Sequence, residues 1–125
     1  MMAAGSSRVP TEPELLAVRR EDALVKLELS LPPGLLYFEG HFDGLPILPG
    51  VVQLHWALGF ARQHLPLGGR LPVEMQIKFR QPIRSEARLV LVLGLKEMPD
   101  RKQVTFAYRC GDIPCSSGKI TLGEP

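Results

Sequence analysis

Two histidines, a loop rich in proline and glycine, and the start of an apolar segment stand close together in the first half of the chain. His41 lies in the loop and His55 in the apolar segment, within the run FEGHFDGLPILPGVVQLHWA at residues 38–57. Imidazole accepts or donates a proton at physiological pH, so both residues are candidates for general acid–base chemistry. A loop histidine that only caps a neighbouring turn is the structural alternative for His41.

The residues around the histidines predict a rigid loop that leads into a helix. Pro46 and Pro49 fix their own φ angles and favour extended geometry in the residues before them, which holds His41 in one place. Pro49 and Gly50 are expected to open the helix, where the first N–H groups have no intrahelical partner. The N–H groups of Gly50 and Val51 are therefore candidates to bind developing negative charge.

The same residues carry a resemblance to a known family. The run Gly-His-Phe-x-Gly-x-Pro-x-x-Pro-Gly-Val, followed by Gln53-Leu54, resembles the signature of the 3-hydroxyacyl-[acyl-carrier-protein] dehydratases of fatty-acid synthesis. The continuation Leu-Pro-Gly-Val-Val-Gln-Leu-x-Trp-Ala is most similar to the small dehydratase-like proteins of polyketide-type gene clusters, such as aryl-polyene clusters. The resemblance implies the α+β hotdog fold, a curved antiparallel sheet wrapped around one long central helix and usually paired as a dimer.

The resemblance also implies a reaction, the loss of water from a 3-hydroxyacyl thioester to give the trans-2-enoyl thioester, without a cofactor. His41 would be the base, and the Gly50 and Val51 N–H groups would bind the thioester carbonyl oxygen. Apolar residues would shape a tunnel for the acyl chain, although core packing is the alternative for most of them. The tunnel candidates are Leu35, Leu36, Phe42, Leu45, Ile47 and Trp56.

Two positions depart from the family pattern. His55 stands where the family has an acidic residue that acts across the dimer interface, and Asp43 stands where proline is usual. Three interpretations follow: His55 is itself the acid, Asp43 supplies the missing carboxylate, or the site no longer dehydrates. We expect His55 to be buried beside Val51, Leu58 and Gly59, which disfavours a charged imidazole. Asp43 as a simple turn residue is the alternative.

Two other functions stay open beside dehydration. A hotdog acyl-thioesterase is one, although such chemistry generally needs a carboxylate on the helix, so His55 counts against it as well. A non-catalytic acyl-binding or assembly subunit that forms a heterodimer with an active homologue is the other, and the missing acidic residue favours it. A homodimer is the default assembly, and higher oligomers are also compatible with the sequence.

A basic cluster on or beside one predicted strand is a candidate docking site for an acidic acyl carrier protein, with a coenzyme A thioester as the other possible substrate form. A solvated strand face is the alternative interpretation. The cluster comprises Lys78, Arg80, Arg84 and Arg88. The net charge of +2 is too small to indicate nucleic-acid binding.

Length and composition indicate one ordinary globular domain. The chain has 125 residues, of which 45% are hydrophobic and 22% charged. Residues 1–13 are expected to form a flexible tail and residues 14–125 the domain. Neither a signal peptide nor a membrane span is evident, so Cys110 and Cys115 are expected to be free thiols in a cytoplasmic protein. The three histidines have no neighbouring ligands at metal-site spacing.

Periodicity predicts the elements that must position the histidine loop. Alternating apolar residues predict a strand over 23–31, and a helix is predicted over 51–65 and expected to be buried on nearly all sides. Everything after Pro72 is predicted to form four strands, of which the nearly continuous apolar run 87–96 is a central one. One helix followed by antiparallel strands indicates an α+β domain.

Overall fold

The computed structural model describes residues 12–31, 47–84 and 88–124, so the predicted tail lies almost wholly outside the described residues. Within these residues, one helix packs against a six-stranded sheet in which every pair of neighbours is antiparallel. The strand order is β1-β2-β4-β5-β6-β3. The elements are β1 Glu14–Glu21, β2 Leu24–Ser30, α1 Gly50–His64, β3 Pro72–Phe79, β4 Arg88–Glu97, β5 Lys102–Cys110 and β6 Ile113–Leu122.

The core lies between α1 and the inner face of the sheet. Apolar side chains at every second position of β2 and β4 point inward, because successive side chains of a strand alternate between its two faces. Leu27 of β2 pairs with Leu91 of β4, and both are completely buried. The sheet continues through β5 and β6, whose inward residues Val104, Tyr108 and Ile120 are equally inaccessible.

This arrangement confirms the α+β hotdog fold, the predicted helix and the four strands that follow it. The sequence prediction missed β1, which pairs with β2 at one edge of the sheet. Its sequence ELLAVRRE has no regular alternation, and its register is interrupted between Leu15 and Ala17. Most of its residues are exposed, so neither face carries the periodic apolar signal by which strands are recognised.

Only one face of α1 is buried, which corrects the expectation of a helix covered on nearly all sides. The sheet covers Val52, Gln53, Trp56, Ala57 and Ala61. Val51 on the other side is 73% exposed. Its exposure follows from the curvature of a single sheet, which wraps one side of the helix and leaves the other side to solvent or to a partner. No described helix is both long and apolar enough to span a membrane.

A buried glutamine joins α1 to the sheet and to the segment before the helix. The Gln53 side chain donates from Nε2 to the Leu48 carbonyl (3.0 Å) and accepts at Oε1 from the Ser116 hydroxyl of β6 (2.6 Å). The Tyr108 hydroxyl of β5 donates to the Gln53 carbonyl at 2.6 Å. Burial raises the pKa of Tyr108 far above its usual value, which keeps this donor protonated. Three elements are thereby fixed around one residue.

Ser116→Ala should lower the free energy of unfolding by about 1–3 kcal/mol, because it leaves the buried Gln53 Oε1 without its donor. Ser117→Ala is the matched control, since Ser117 is the next residue and only half-buried; we expect a loss within about 0.5 kcal/mol. Urea unfolding gives the stability of both variants, of Gln53→Met, and of the double variant Gln53→Met with Ser116→Ala. A double-mutant cycle then gives the coupling energy between Gln53 and Ser116. Additive losses in the double variant would show that the Gln53–Ser116 bond contributes nothing.

Candidate functional site

At the start of α1, two backbone N–H groups find no acceptor among the residues that the structure describes. Pro49 precedes the helix in extended geometry (φ −63°, ψ 150°), and no side chain of the described residues caps it. The Val52 and Gln53 N–H groups both donate to the Pro49 carbonyl, at 3.2 and 3.1 Å. Within the described residues, the N–H groups of Gly50 and Val51 have no acceptor. They are the two amides that the sequence predicted as donors, and they carry the positive end of the helix dipole.

A largely apolar cavity of about 520 Å³ opens at this helix start. One wall is the segment that leads into α1, and the other is the segment that follows β3. The lining residues are Ile47, Leu48, Pro49, Gly50, Gln53, Phe79, Arg80, Gln81 and Pro82. A cavity of this size and apolar character, with a few convergent polar groups, is typical of a site for a small molecule or an acyl chain.

Phe79 closes one side of the cavity by packing on Gly50. A Cβ atom at position 50 would overlap the Phe79 ring, so only glycine allows this contact. Phe79 is nevertheless 56% exposed. Sequence reasoning assigned Gly50 to the helix start and did not identify Phe79, whose position at the end of β3 depends on the pairing with β6.

The segment between the histidine loop and α1 is held on two sides. The Leu48 N–H donates to the Ile83 carbonyl at 2.8 Å, and the Leu48 carbonyl accepts from Gln53. Ile47, a predicted tunnel residue, forms an isolated antiparallel bridge with Arg84 and lines the cavity. The other loop candidates, His41, Phe42, Asp43 and Leu45, lie outside the described residues, as do Leu35 and Leu36.

His55 is exposed, which corrects the expectation that its neighbours Val51, Leu58 and Gly59 bury it. It lies on the side of α1 that the sheet leaves open, and it does not line the cavity at the helix start. Instead it borders a small hollow with Glu12, Trp56, Gly59, Phe60 and Gln63. Trp56, predicted for the tunnel, is 3% exposed and belongs to the core.

Two of the four predicted basic residues share a groove on the outer face of the sheet. Lys78 and Arg80 line it together with Lys119 of β6, and its volume is about 510 Å³. None of these three side chains forms a salt bridge within the described residues. Arg84 and Arg88 do not line the groove. Sequence reasoning missed Lys119, because only the β3–β6 pairing brings it beside Gln76.

Four further residues at the site escaped the sequence analysis as functional candidates: Gln53, Phe79, Tyr108 and Ser116. Gln53 belongs to the sequence motif, but its spacing alone does not show that its side chain turns into the core. No group of three or more His, Cys, Asp or Glu side chains that could hold a metal ion occurs among the described residues.

Comparisons with known proteins identify the family. The family model described as ApeI dehydratase matches residues 17–119. The 3-hydroxyacyl-[acyl-carrier-protein] dehydratase FabZ of Rhizorhabdus wittichii is 30% identical over 97 residues, which are 70% of this chain and 55% of that protein. The chain therefore spans about half the length of this curated relative.

Solved structures agree with the family model. A chain of the dehydratase heterocomplex ApeI:P from Xenorhabdus doucetiae has a TM-score of 0.79 and 29% identity, over 91% of this chain and all (100%) of that chain. An uncharacterized protein from Erwinia carotovora subsp. atroseptica has a TM-score of 0.72 and 37% identity, over 91% and 98% of the two chains. Thioesterase superfamily member 2 from Mus musculus (TM-score 0.69, 14% identity, 87% of each chain) shows the shared fold alone. The chain belongs to the ApeI-like dehydratase family.

Proposed function

We propose that this protein binds acyl thioesters and dehydrates 3-hydroxyacyl thioesters to trans-2-enoyl thioesters. The observation that carries the proposal is the apolar cavity that ends at the uncapped start of α1. An acyl chain fits its apolar lining, and the thioester carbonyl can then face the N–H groups of Gly50 and Val51. These donors favour the enolate-like transition state over the ground state, because negative charge develops on that oxygen.

In this proposal His41 removes the proton next to the thioester carbonyl. His41 precedes Leu48 by seven residues in the sequence, and Leu48 is fixed by hydrogen bonds to Ile83 and Gln53. Those bonds give the C-terminal end of the loop a defined position beside the cavity. General-base catalysis requires such placement, since the base must reach its proton within hydrogen-bond distance.

His55 takes the place of the family's acid in this proposal, and it does so across a subunit interface. It does not line the cavity of its own chain, so in this proposal it serves the site of a second chain. Solvent exposure lets a partner's substrate approach both ring nitrogens. An imidazolium that donates a proton to the leaving hydroxyl would complete the elimination. Asp43 stays the alternative source of the acid.

The exposed edge of the sheet favours such a pairing. β3 is an edge strand, and its apolar residues Val73, Met75 and Phe79 are exposed together with Val51 of α1. A strand with one free edge and exposed apolar side chains is a template for a second chain. Antiparallel pairing of two β3 strands centred on Gln76 would set Glu74 of each chain opposite Lys78 of the other, which suits a symmetric homodimer.

A partner subunit that does not dehydrate on its own is the second candidate function. The observation that favours it is His55 itself, because loss of a general acid typically lowers a rate by about 10²–10⁴-fold. The similar structure from Xenorhabdus doucetiae is a dehydratase heterocomplex, which makes an active homologue a reasonable partner. The hotdog thioesterase alternative gains no support, since its structural neighbours share the fold alone. Cytoplasmic location stays a prediction.

The substrate is proposed to arrive on an acyl carrier protein. Arg80 lines both the apolar cavity and the outer groove that holds Lys78 and Lys119. An acidic carrier bound to this groove would therefore sit beside the cavity that receives its acyl chain. Unpaired surface cations attract an acidic partner and accelerate its association, and salt weakens this effect. A coenzyme A thioester would use the same groove only through its phosphates.

Turnover of 3-hydroxyacyl carrier-protein thioesters tests the proposed reaction. We expect wild-type protein to give the enoyl product and His41→Ala to be slower by about 10²–10⁴-fold, because the base is lost. His64→Gln, a substitution at the far end of the helix, is the matched control and should keep wild-type turnover. Mass spectrometry of the thioesters measures both directions of the reaction. An active wild type whose rate is unchanged in His41→Ala would refute the assignment.

The same assay separates the two candidate functions. A wild type that is silent alone, and that becomes active as His55→Asp or with an acid-bearing homologue, would support the partner subunit. An active wild type that loses turnover in His55→Ala would support His55 as the acid. Asp43→Asn tests the remaining interpretation, since a loss close to that of His41→Ala would assign the acid to Asp43.

Two double charge reversals test the carrier site. Arg80→Glu with Lys119→Glu should weaken carrier binding by at least tenfold at low salt and less at high salt, because two groove cations become anions. Arg84→Glu with Arg88→Glu changes the net charge equally but leaves the groove intact. Fluorescence anisotropy of a labelled carrier protein measures both. A larger loss in the second variant would place the carrier at Arg84 and Arg88, and two unchanged affinities would discard both sites.

Met75→Glu should convert the proposed dimer to a monomer and abolish turnover that depends on His55. A charge in the middle of the apolar β3 face is incompatible with covering that face. Ile113→Glu is the matched control, because Ile113 is also an exposed apolar residue but begins β6 at the hairpin. Analytical ultracentrifugation gives the mass of each variant. A Met75→Glu variant that stays dimeric would exclude this face as the interface.

A further inference from the structure

Two free thiols meet at the hairpin that joins β5 to β6. Cys110 is the last residue of β5, and Cys115 lies in β6 beyond the turn at Gly111 and Asp112. Both cysteines are unbridged, and their sulfur atoms are 3.0 Å apart, with the Cys115 thiol donating to Cys110. Free thiols are the expectation from the sequence, and their contact is far closer than the spacing alone indicates.

A bulge in β6 produces this contact. Cys110 pairs with Ile113 and Arg109 with Pro114, whereas Tyr108 pairs with Ser116. Cys115 is therefore the extra residue, without a partner in the ladder. A bulge turns a side chain away from the direction that regular alternation would give it. Here the bulge places the Cys115 thiol on the buried side of the sheet, in contact with Cys110.

The two thiols differ in access to solvent. Cys110 is partly exposed, whereas Cys115 is only 1% exposed. We propose that Cys110 and Cys115 are an oxidisable pair, in which Cys110 reacts first with a small-molecule disulfide such as oxidised glutathione and Cys115 then closes an intramolecular disulfide. The inference concerns a part of the molecule outside the proposed catalytic groups, so it does not depend on the proposed function.

Both steps are thiol–disulfide exchanges. The Cys110 thiolate attacks one sulfur of oxidised glutathione, which forms a mixed disulfide and releases one glutathione thiolate. Cys115 then loses its proton and attacks the Cys110 sulfur, which breaks the mixed disulfide and releases the second glutathione. Two cysteine thiols are oxidised, and one glutathione disulfide is reduced to two glutathione thiols. The second step needs no encounter with a reagent, since the two sulfurs are already in contact.

The environment of Cys110 sets the speed of the first step. Burial, and then the close contact with Cys115, raise the pKa of Cys110 to about 12. Thiolate is the attacking form, so little of it is present near neutral pH and the reaction is slow there. The cysteine pair should therefore oxidise under a sustained change in the redox potential of its surroundings and stay reduced during a brief pulse of oxidant.

The bulge also supports a wall of the apolar cavity. The Cys115 carbonyl accepts hydrogen bonds from the N–H groups of Arg80 (2.9 Å) and Gln81 (3.1 Å), and both of those residues line the cavity. The next residue, Ser116, donates to Gln53. Bridging Cys115 to Cys110 draws the two sulfurs together and pulls on this carbonyl. Closure of the disulfide is therefore expected to alter the protection of the Arg80 and Gln81 amides.

The test begins with fully reduced full-length protein, equilibrated with mixtures of oxidised and reduced glutathione at mildly alkaline pH. Acid quench, alkylation and mass spectrometry then count the free thiols. Wild type should lose both alkylatable thiols and the mass of two hydrogens. The Cys115→Ala variant should accumulate the glutathione mixed disulfide at Cys110 without going further. The Cys110→Ser variant should keep the buried Cys115 thiol in its reduced form. An unchanged far-ultraviolet circular dichroism spectrum shows that the oxidised chain is still folded.

A wild type that keeps both thiols under the most oxidising mixture would overturn the proposal. So would a mixed disulfide that never resolves, because Cys115 would then be unable to attack. Amide hydrogen exchange of the reduced and oxidised proteins tests the link to the cavity. The link is supported if oxidation changes amide exchange at Arg80 and Gln81 and leaves exchange in the distant β1–β2 pair unchanged. Identical exchange at Arg80 and Gln81 would show that the disulfide is only a local crosslink without effect on the cavity.

Discussion

The buried amide of Gln53 is the constraint around which the site is organised. An amide that leaves water loses free energy unless its donors and acceptors find partners. Its Nε2 and Oε1 atoms meet the Leu48 carbonyl and the Ser116 hydroxyl, which belong to different parts of the chain. Only one rotation of α1, combined with the bulged register of β6, satisfies both atoms. A helix stabilised by apolar contacts alone would lack this restriction, because hydrophobic burial is non-directional.

The position of the cavity follows from that restriction. With Gln53 turned toward the sheet, Gly50 lies one helical turn earlier and faces the end of β3, where the Phe79 ring packs against it. Any side chain at position 50 would displace the ring from the helix start. The free N–H groups and the apolar lining thus come together because two residues of α1, three apart in the sequence, meet the same end of the sheet.

Periodic sequence features predicted most of the fold, because β2, β4 and the buried face of α1 each repeat with the period of one structure. β1 escaped prediction, since it gains its place from pairing with β2 and not from a buried face of its own. The Gln53 contacts and the Cys115 bulge escaped for a related reason. Both depend on the register of β6 against β5 and β3, and one sequence does not fix the register of strands that are far apart in the chain.

The exposure of His55 has a consequence for any assembly of this chain. Within one chain the cavity and His55 lie on different sides of α1, so a complete site of the proposed kind takes its N–H donors from one subunit and its proton donor from the other. A homodimer would then contain two equivalent sites that both use histidine. A heterodimer with an acid-bearing homologue would contain two unlike sites. The cavity of this chain would receive the partner's carboxylate, while the partner's cavity would receive His55. The substitution of histidine on this chain would therefore impair the partner's site and leave this chain's own cavity competent, which gives a chain without the family's acid a direct part in catalysis.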